Sequence, residues 1–290
     1  MRAGSGLARW LRTVQTGDAV SRDPPAGAAA AGQRERAAGA GGGPGILLRG
    51  VRKAFGEVVA LEGIDLEIGV HARIGIVGPS GGGKSTLLSI VSGLLEQDAG
   101  EVVVEGAVAP RERLRKCALM PQRDLLLPWR TALDNACLAL ENRGVPRREA
   151  RRRAKPLFEH FGLGQFESRR PAALSGGMRQ RVSFLRTLLA EKDVLLLDEP
   201  FGALDSITRG QMQEWLVGAL DEVPRTVLLV THDVEEALLL TNRVVVLSAR
   251  PGRVVRTFDA TFPRLPTRRE TVSQPGFVAL REEALEALEL

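Results

Sequence analysis

The sequence contains no tyrosine, and only two cysteines and three histidines, in 290 residues. Two cysteines, Cys117 and Cys137, cannot build a disulfide scaffold; they read as reduced, packed thiols of a cytosolic chain. Apolar residues never run much beyond five in succession, whereas a membrane-spanning helix needs about 20, so no transmembrane segment is expected. The opening residues, MRAGSGLARWLRTV, are positively charged but lack the apolar stretch of about 7–15 residues that a secretory signal requires. Neither sign of charge dominates: 40 Lys and Arg stand against 35 Asp and Glu, a net +5. The positive charge is almost all arginine, in short clusters such as Arg151, Arg152 and Arg153. Such clusters read as solvated helix faces, and charge alone does not decide for a nucleic-acid partner; none is expected. Length allows one large domain or two small ones, with ample residues for a core.

What is present is strongly segmented. Residues 1–45 hold 21 Ala and Gly and cannot bury enough apolar surface to offset their ordering entropy, so a disordered leader is expected there. Order begins at Ile46. Ile64, Leu66 and Ile68 alternate with Asp65 and Glu67, the period of a half-buried strand. A short apolar run at 73–77 and Val/Leu-rich runs at 194–197, 227–230 and 244–247 fit central parallel strands covered on both faces. Between about 125 and 190 the texture turns helical, with breaks at Pro146, Gly162 and Pro171. An α/β domain over 46–262 with a helical insertion is the simplest arrangement. Pro263 and Pro266 then introduce a tail, 263–290, in which 277–288 is a strong helix former expected to pack back on the domain.

Three motifs carry chemistry. Gly78-Pro79-Ser80-Gly81-Gly82-Gly83-Lys84-Ser85-Thr86 follows the strand at 73–77 and precedes an apolar helix start, Leu87-Leu88. Glycines in that setting let successive backbone N–H groups surround an anion, and the helix N-terminus adds partial positive charge. Lys84 would reach the β- and γ-phosphates and the Ser85 hydroxyl would ligate Mg²⁺. The apolar run 194–197 ends in Asp198, placed to hold Mg²⁺, and Glu199, placed to polarise an attacking water. Leu174-Ser175-Gly176-Gly177-Met178-Arg179-Gln180 offers a hydroxyl and free N–H groups at a second helix start, a second anion site.

Two phosphate-binding helix ends in one chain exceed what a kinase or GTPase needs. Here the sequence resembles the ATP-binding cassette (ABC) ATPases, whose signature motif is the Ser175-Gly176-Gly177 segment; Met178 stands where the family commonly has Gln, with Gln180 two places on. The resemblance covers about residues 46–263, and the other motifs come in the family's order. Gln122 matches the Q-loop, which implies a metal and nucleotide ligand; Asp205 matches the D-loop; His232 matches the switch histidine, implying a hydrogen bond to the γ-phosphate and a hold on the water with Glu199. Phe55 falls where the family places a ring that stacks on adenine; an edge-strand Phe packed in the core is the other reading. His71 and His160 have no motif around them and read as surface or packing residues.

The resemblance implies a phosphate-loop NTPase (RecA-like) core with a mostly parallel sheet, an antiparallel β subdomain and an inserted α-helical subdomain. It also implies a homodimer in which ATP is sandwiched between one chain's phosphate loop and the other's signature. The stretch Leu126-Leu127-Pro128-Trp129-Arg130-Thr131-Ala132-Leu133-Asp134-Asn135 and the later Ala249-Arg250-Pro251-Gly252-Arg253 look like the nitrate, sulfonate, taurine and thiamine-precursor importers. That branch implies an ATPase on the cytoplasmic face of the inner membrane, coupled to separate integral membrane permease subunits and, indirectly, to an extracytoplasmic solute-binding protein. Trp129 would then face the permease; a packed Trp in a helix-capping loop is the alternative. Two other readings are an ABC ATPase of DNA repair or chromosome maintenance and a single-site kinase or GTPase. The first needs long coiled-coil insertions, but only 91 residues separate Lys84 from Ser175 and they hold no sustained heptads; the second has no use for Ser175 or His232.

Overall fold

The computed structural model of the chain describes residues 43–265 and 267–289. The leader expected over 1–45 therefore lies almost wholly outside the described residues, as does Pro266. In chain order the strands are β1 (Ile46–Phe55), β2 (Val58–Ile68), β3 (Arg73–Val77), β4 (Ala99–Val104), β5 (Cys117–Met120), β6 (Val194–Asp198), β7 (Thr226–Val230), β8 (Arg243–Leu247) and β9 (Val254–Asp259). The helices are α1 (Lys84–Ser92), α2 (Pro110–Lys116), α3 (Ala132–Ala136), α4 (Leu138–Asn142), α5 (Arg147–His160), α6 (Gly176–Leu188), α7 (Ser206–Glu222), α8 (Val234–Leu240), α9 (Arg268–Val272) and α10 (Pro275–Leu288).

Two sheets carry these elements: an antiparallel one in order β2-β1-β4 and a six-stranded one in order β5-β6-β7-β3-β8-β9. In the larger sheet every neighbouring pair is parallel except β8–β9. Period-two patterning decides which core each strand residue joins. Val194 and Leu196 of β6, with Leu228 and Val230 of β7, face the antiparallel sheet across α1, whose Leu87, Leu88, Ile90 and Val91 are buried between the two sheets. Leu195, Leu197, Val227 and Leu229 point the other way, onto the helices α3–α7. A third cluster forms where Val244 and Val246 meet α8 and α10.

The apolar runs at 73–77, 194–197, 227–230 and 244–247 are all strands, and the half-buried strand at 64–68 is the end of a longer one, β2. The expected helical breaks also fall in place: α5 starts directly after Pro146, Gly162 (φ 64°) follows its end, and Pro171 opens a short 3₁₀ turn. The arginine cluster is paired as well as solvent-facing. Arg147 and Arg151 hold the buried Asp134 at 2.6 and 2.7 Å, and Arg152 and Arg153 hold Glu149. Both thiols are free and buried, and burial pushes each up to about 12.

The tail helix α10 buries Phe277, Ala284 and Ala287 against Val77, Val234, Leu238 and Val244, with Phe262 meeting the Phe277 ring edge-to-face at 4.9 Å. It thereby closes the outer face of the sheet beside the strand that feeds the glycine loop. Truncating a fully buried Phe leaves a cavity costing about 3–5 kcal/mol. Phe277→Ala is therefore expected to lower the unfolding free energy by about that amount in a urea titration, and a loss below 1 kcal/mol would show that α10 is not part of the cooperative core.

Candidate nucleotide site

The glycine loop leaves β3 at Val77 and enters α1 at Lys84. Its backbone is clamped from behind. A Cβ at Gly78 would lie 2.8 Å from the Leu247 carbonyl oxygen, and one at Gly82 the same distance from that of Ser248. At Gly83 it would lie 2.6 Å from Leu61 Cδ2 and 2.7 Å from the Ala60 carbonyl. Gly81 and Gly83 also have φ of 81° and 82°, the left-handed region that only glycine enters freely. Gly83 is the N-cap of α1, and no side chain caps that helix start. Its first-turn N–H groups therefore remain available, an anion-binding end by construction.

Around the loop lies a cavity of about 290 Å³. Its walls include Ser80, Gly81, Gly83, Lys84, Ser85 and Thr86 of the loop and helix start, Phe55 and Val58 on one side, Gln122 and Glu199 on the other, and Arg250. The Phe55 ring is 51% exposed, which excludes the packed-core reading and leaves an apolar face on the cavity wall. Lys84 is buried, and its ammonium donates to the carbonyls of Gly78 and Pro79, both at 2.8 Å. Burial lowers its pKa, against the opposing pull of Glu199 and Asp198.

Asp198 ends β6 with 6% exposure, its carboxyl hydrogen-bonded to Ser85. Burial raises its pKa and the neighbouring Glu199 adds to the rise, while Ser85 and Lys84 oppose it. A desolvated carboxylate beside a hydroxyl is short of positive charge. Ser85 and Asp198 are in contact, and Gln122 lines the same cavity as Ser85; so few oxygen donors cannot cage an ion alone, which fits Mg²⁺, a cation that keeps waters and phosphate oxygens as ligands.

Glu199 follows with φ 46°, a costly conformation for a side-chain-bearing residue. Its N–H donates to Val230 O at 2.8 Å, which ties the turn to β7. The turn aims the carboxylate between two partners: Gln122 Nε2 donates to Oε2 at 2.9 Å, and His232 Nδ1 lies 3.3 Å from Oε1. His232 is held in turn by its neighbour Thr231, whose N–H donates to Ile76 O and whose hydroxyl donates to the buried Glu236 at 2.5 Å. Sequence reasoning missed two supports. Gln180 of α6, 5% exposed, donates to the carbonyls of Glu199 and Pro200, both at 3.3 Å. Glu236 is the other; its signal was only a carboxylate four residues past His232, on a helix of seven residues.

The remaining predicted residues are not brought to the cavity. Ser175 caps α6, accepting from Met178 N at 3.2 Å, and Ser175 and Gly176 are exposed with Gly177 half-buried beside them. Asp205 likewise caps α7, accepting from Thr208 N at 3.0 Å, and is exposed. None of these four lines the cavity around Lys84. His71 is an exposed residue at positive φ (61°), and His160 lies beside Phe161 and Trp215.

A clamped glycine loop, a buried acidic strand end and a carboxylate–histidine pair beside them define a hydrolase of the phosphate-loop α/β class. Comparison with known proteins narrows this. The sequence pattern of the family described as "ABC transporter" matches residues 61–202. The chain is 43% identical over 234 residues to the taurine import ATP-binding protein TauB of Rhizobium johnstonii, covering 79% of this chain and 89% of that one. It is also 43% identical over 244 residues to the aliphatic sulfonates import ATP-binding protein SsuB 1 of Rhodococcus jostii, covering 84% and 93%. The dimeric structure of MJ0796, a bacterial ABC transporter cassette, superposes with a TM-score of 0.68 at 32% identity, over 75% of this chain and all of that one. The chain therefore belongs to the ABC transporter family, and it is an ATPase of that family with the fold its motifs imply.

Clamping of Gly83 gives a direct check. An L-residue there incurs about 1–2 kcal/mol for its left-handed backbone, besides the clash with Leu61 and Ala60. Gly83→Ala is expected to lose at least tenfold in ATP affinity by titration calorimetry, and wild-type affinity would show that the loop need not hold this shape.

Proposed function

We propose that this chain is the ATP-hydrolysing subunit of an importer for a small sulfonate-type solute, bound peripherally at the cytoplasmic face of the inner membrane to separate permease subunits. The observation that carries the reading is the loop after Gln122. Trp129 is 69% exposed and Leu125 56% exposed, on a segment that is otherwise well fastened. Asn135, fully buried, accepts from Leu127 N and donates to the carbonyls of Leu127, Arg130 and Thr131. One side chain thus satisfies the backbone of a loop that holds no regular structure. Arg186 donates to the carbonyls of Asp124 and Leu125, and Arg179 pairs with Asp124 at 3.0 Å, both from the signature helix α6. A rigid loop that presents a Trp to solvent is built to be covered, and aromatic residues dominate the energetics of such contacts.

Support for the solute class comes from the taurine and sulfonate importers among the relatives. Selection itself would rest with the permease and with an extracytoplasmic binding protein, which this chain need not touch. Among the described residues no helix is long and apolar enough to cross a membrane; in this reading the permease subunits supply the membrane path. The repair or chromosome reading lacks support, since the segment between Lys84 and Ser175 folds into short strands and helices of at most 14 residues.

In the working dimer, each ATP would lie between the phosphate loop of one copy and Ser175, Gly176 and Gly177 of the other, with Asp205 at the same junction. The exposed, outward-facing caps of α6 and α7 support this, as does the dimeric state of the MJ0796 cassette. Phe55 would stack on adenine, while the amides of 78–86 and Lys84 grip the phosphates. Ser85, Asp198 and Gln122 would hold Mg²⁺, which when bound supplies positive charge against the β- and γ-phosphate oxygens. Glu199 accepts the proton of the water that attacks the γ-phosphorus as its bond to the β-phosphate oxygen breaks, and His232 fixes the carboxylate and the γ-phosphate together.

The test is recovery of the tagged chain from gently solubilised membranes of its own host. A multi-span membrane protein at matching stoichiometry is expected to come with it, and Trp129→Asp is expected to lower that recovery at least tenfold while leaving ATP affinity unchanged. Recovery from the soluble fraction alone, or equal recovery by the variant, would overturn the proposed coupling.

A further inference from the structure

One cationic side chain on the cavity wall has no part in the chemistry described above. Of the residues that line the cavity, Lys84 and Arg250 are the two cations. Lys84 is already engaged by two loop carbonyls and works beside two carboxylates, Asp198 and Glu199. Arg250 is exposed and, among the described residues, makes no hydrogen bond or ion pair. Its Nη2 lies 3.4 Å from the position a Cβ on Gly81 would take, at the tip of the phosphate loop.

The backbone that carries this free guanidinium is anything but free. Gly252 N donates to Ala60 O and Glu62 N donates to Gly252 O, both at 3.0 Å, which fastens the turn between β8 and β9 to β2. A Cβ on Gly252 would lie 2.3 Å from the Gly82 carbonyl oxygen, so the same turn is pressed against the phosphate loop. Ser248 Oγ lies 2.8 Å from both the Ala249 and Pro251 carbonyls and accepts from Arg253 N at 3.0 Å. Arg253 pairs with Glu62 at 2.5 Å. Two of the five residues after Ser248 are thus arginines, one spent on anchoring the turn and the other left over at the cavity.

We propose that Arg250 is a nucleotide-contacting residue, its guanidinium pairing with phosphate oxygens of bound ATP from the rim of the cavity beside Gly81. A nucleoside triphosphate brings about four negative charges into a site whose own side chains include two carboxylates and one engaged ammonium. An unpartnered guanidinium on a fixed backbone meets that charge with its fork geometry and with little ordering beyond its own side chain. It also explains why the turn after β8 is fastened at once to β2 and to the phosphate loop: both contacts set where Arg250 starts. The inference rests on the phosphate-loop reading of the cavity.

The test compares affinities of the full chain for Mg-ATP and for inorganic tripolyphosphate, by titration calorimetry, in wild type, Arg250→Ala, Arg250→Lys and Lys84→Ala. Arg250→Ala is expected to weaken both ligands by about tenfold and by the same factor, the scale of one charge-assisted hydrogen bond. Arg250→Lys should recover part of the loss, since the charge returns without the fork. Because Arg250 has no partner among the described residues, thermal unfolding of the alanine variant without ligand should match wild type. Tripolyphosphate affinity within twofold of wild type in Arg250→Ala would overturn the proposal, whether the side chain then serves the base or only solvent. Undiminished tripolyphosphate binding in Lys84→Ala would instead overturn the phosphate-loop reading beneath it.

Discussion

Everything at the candidate site depends on how closely two segments approach the phosphate loop. Ala60 and Leu61 of β2 press on Gly83, and Leu247 and Ser248 at the end of β8 press on Gly78 and Gly82. A Cβ at Gly78, Gly82 or Gly83 would strike these segments, so those three positions of the loop must be glycine. The clamp also joins the two sheets, because β2 belongs to the antiparallel sheet and β8 to the parallel one. Between them α1 is buried on the side that faces both. Burial of α1 and the shape of the anion-binding loop are therefore one packing problem rather than two.

The second constraint is that chemistry and contact are separated by chain geometry. Lys84, Ser85, Asp198, Gln122, Glu199 and His232 converge through side-chain contacts within one chain. Ser175 and Asp205 cap exposed helix starts and do not join them. Yet the two groups are mechanically linked. Gln180, one turn into the helix that Ser175 caps, donates to the carbonyl of Glu199 itself. The same helix holds the Trp129 loop through Arg179 and Arg186. Helix α6 thus ties the Ser175 cap to the Glu199 turn and to the loop that carries Trp129.

Much of this was legible in the sequence because it is written in local signals. The parallel strands are short, buried apolar runs, and the glycine loop and acidic strand end follow two of them directly. The helical breaks at Pro146, Gly162 and Pro171 were legible for the same reason. Strands β1, β4 and β9 were not. The pairing of β1 with β2 shifts register between Leu48 and Val51 and again on either side of Lys53, which scrambles the alternation that marks a strand, and β4 and β9 expose about half of their residues or more. Gln180 and Arg250 illustrate a different limit. Each is a polar residue whose partner or cavity lies across the fold, so no window of sequence contains both halves of the interaction. Phe55 lay between the two cases: its position was legible, but only its exposure separates a ring on the cavity wall from one in the core.

The central claim is that each chain holds half of a catalytic site, completed by Ser175 of a second copy. Sedimentation of Glu199→Gln with and without Mg-ATP tests it most directly, since the variant keeps the binding groups and loses the base that would discharge the complex. The account predicts a monomer without nucleotide and a dimer with it. A variant that binds Mg-ATP to saturation and remains monomeric would contradict it.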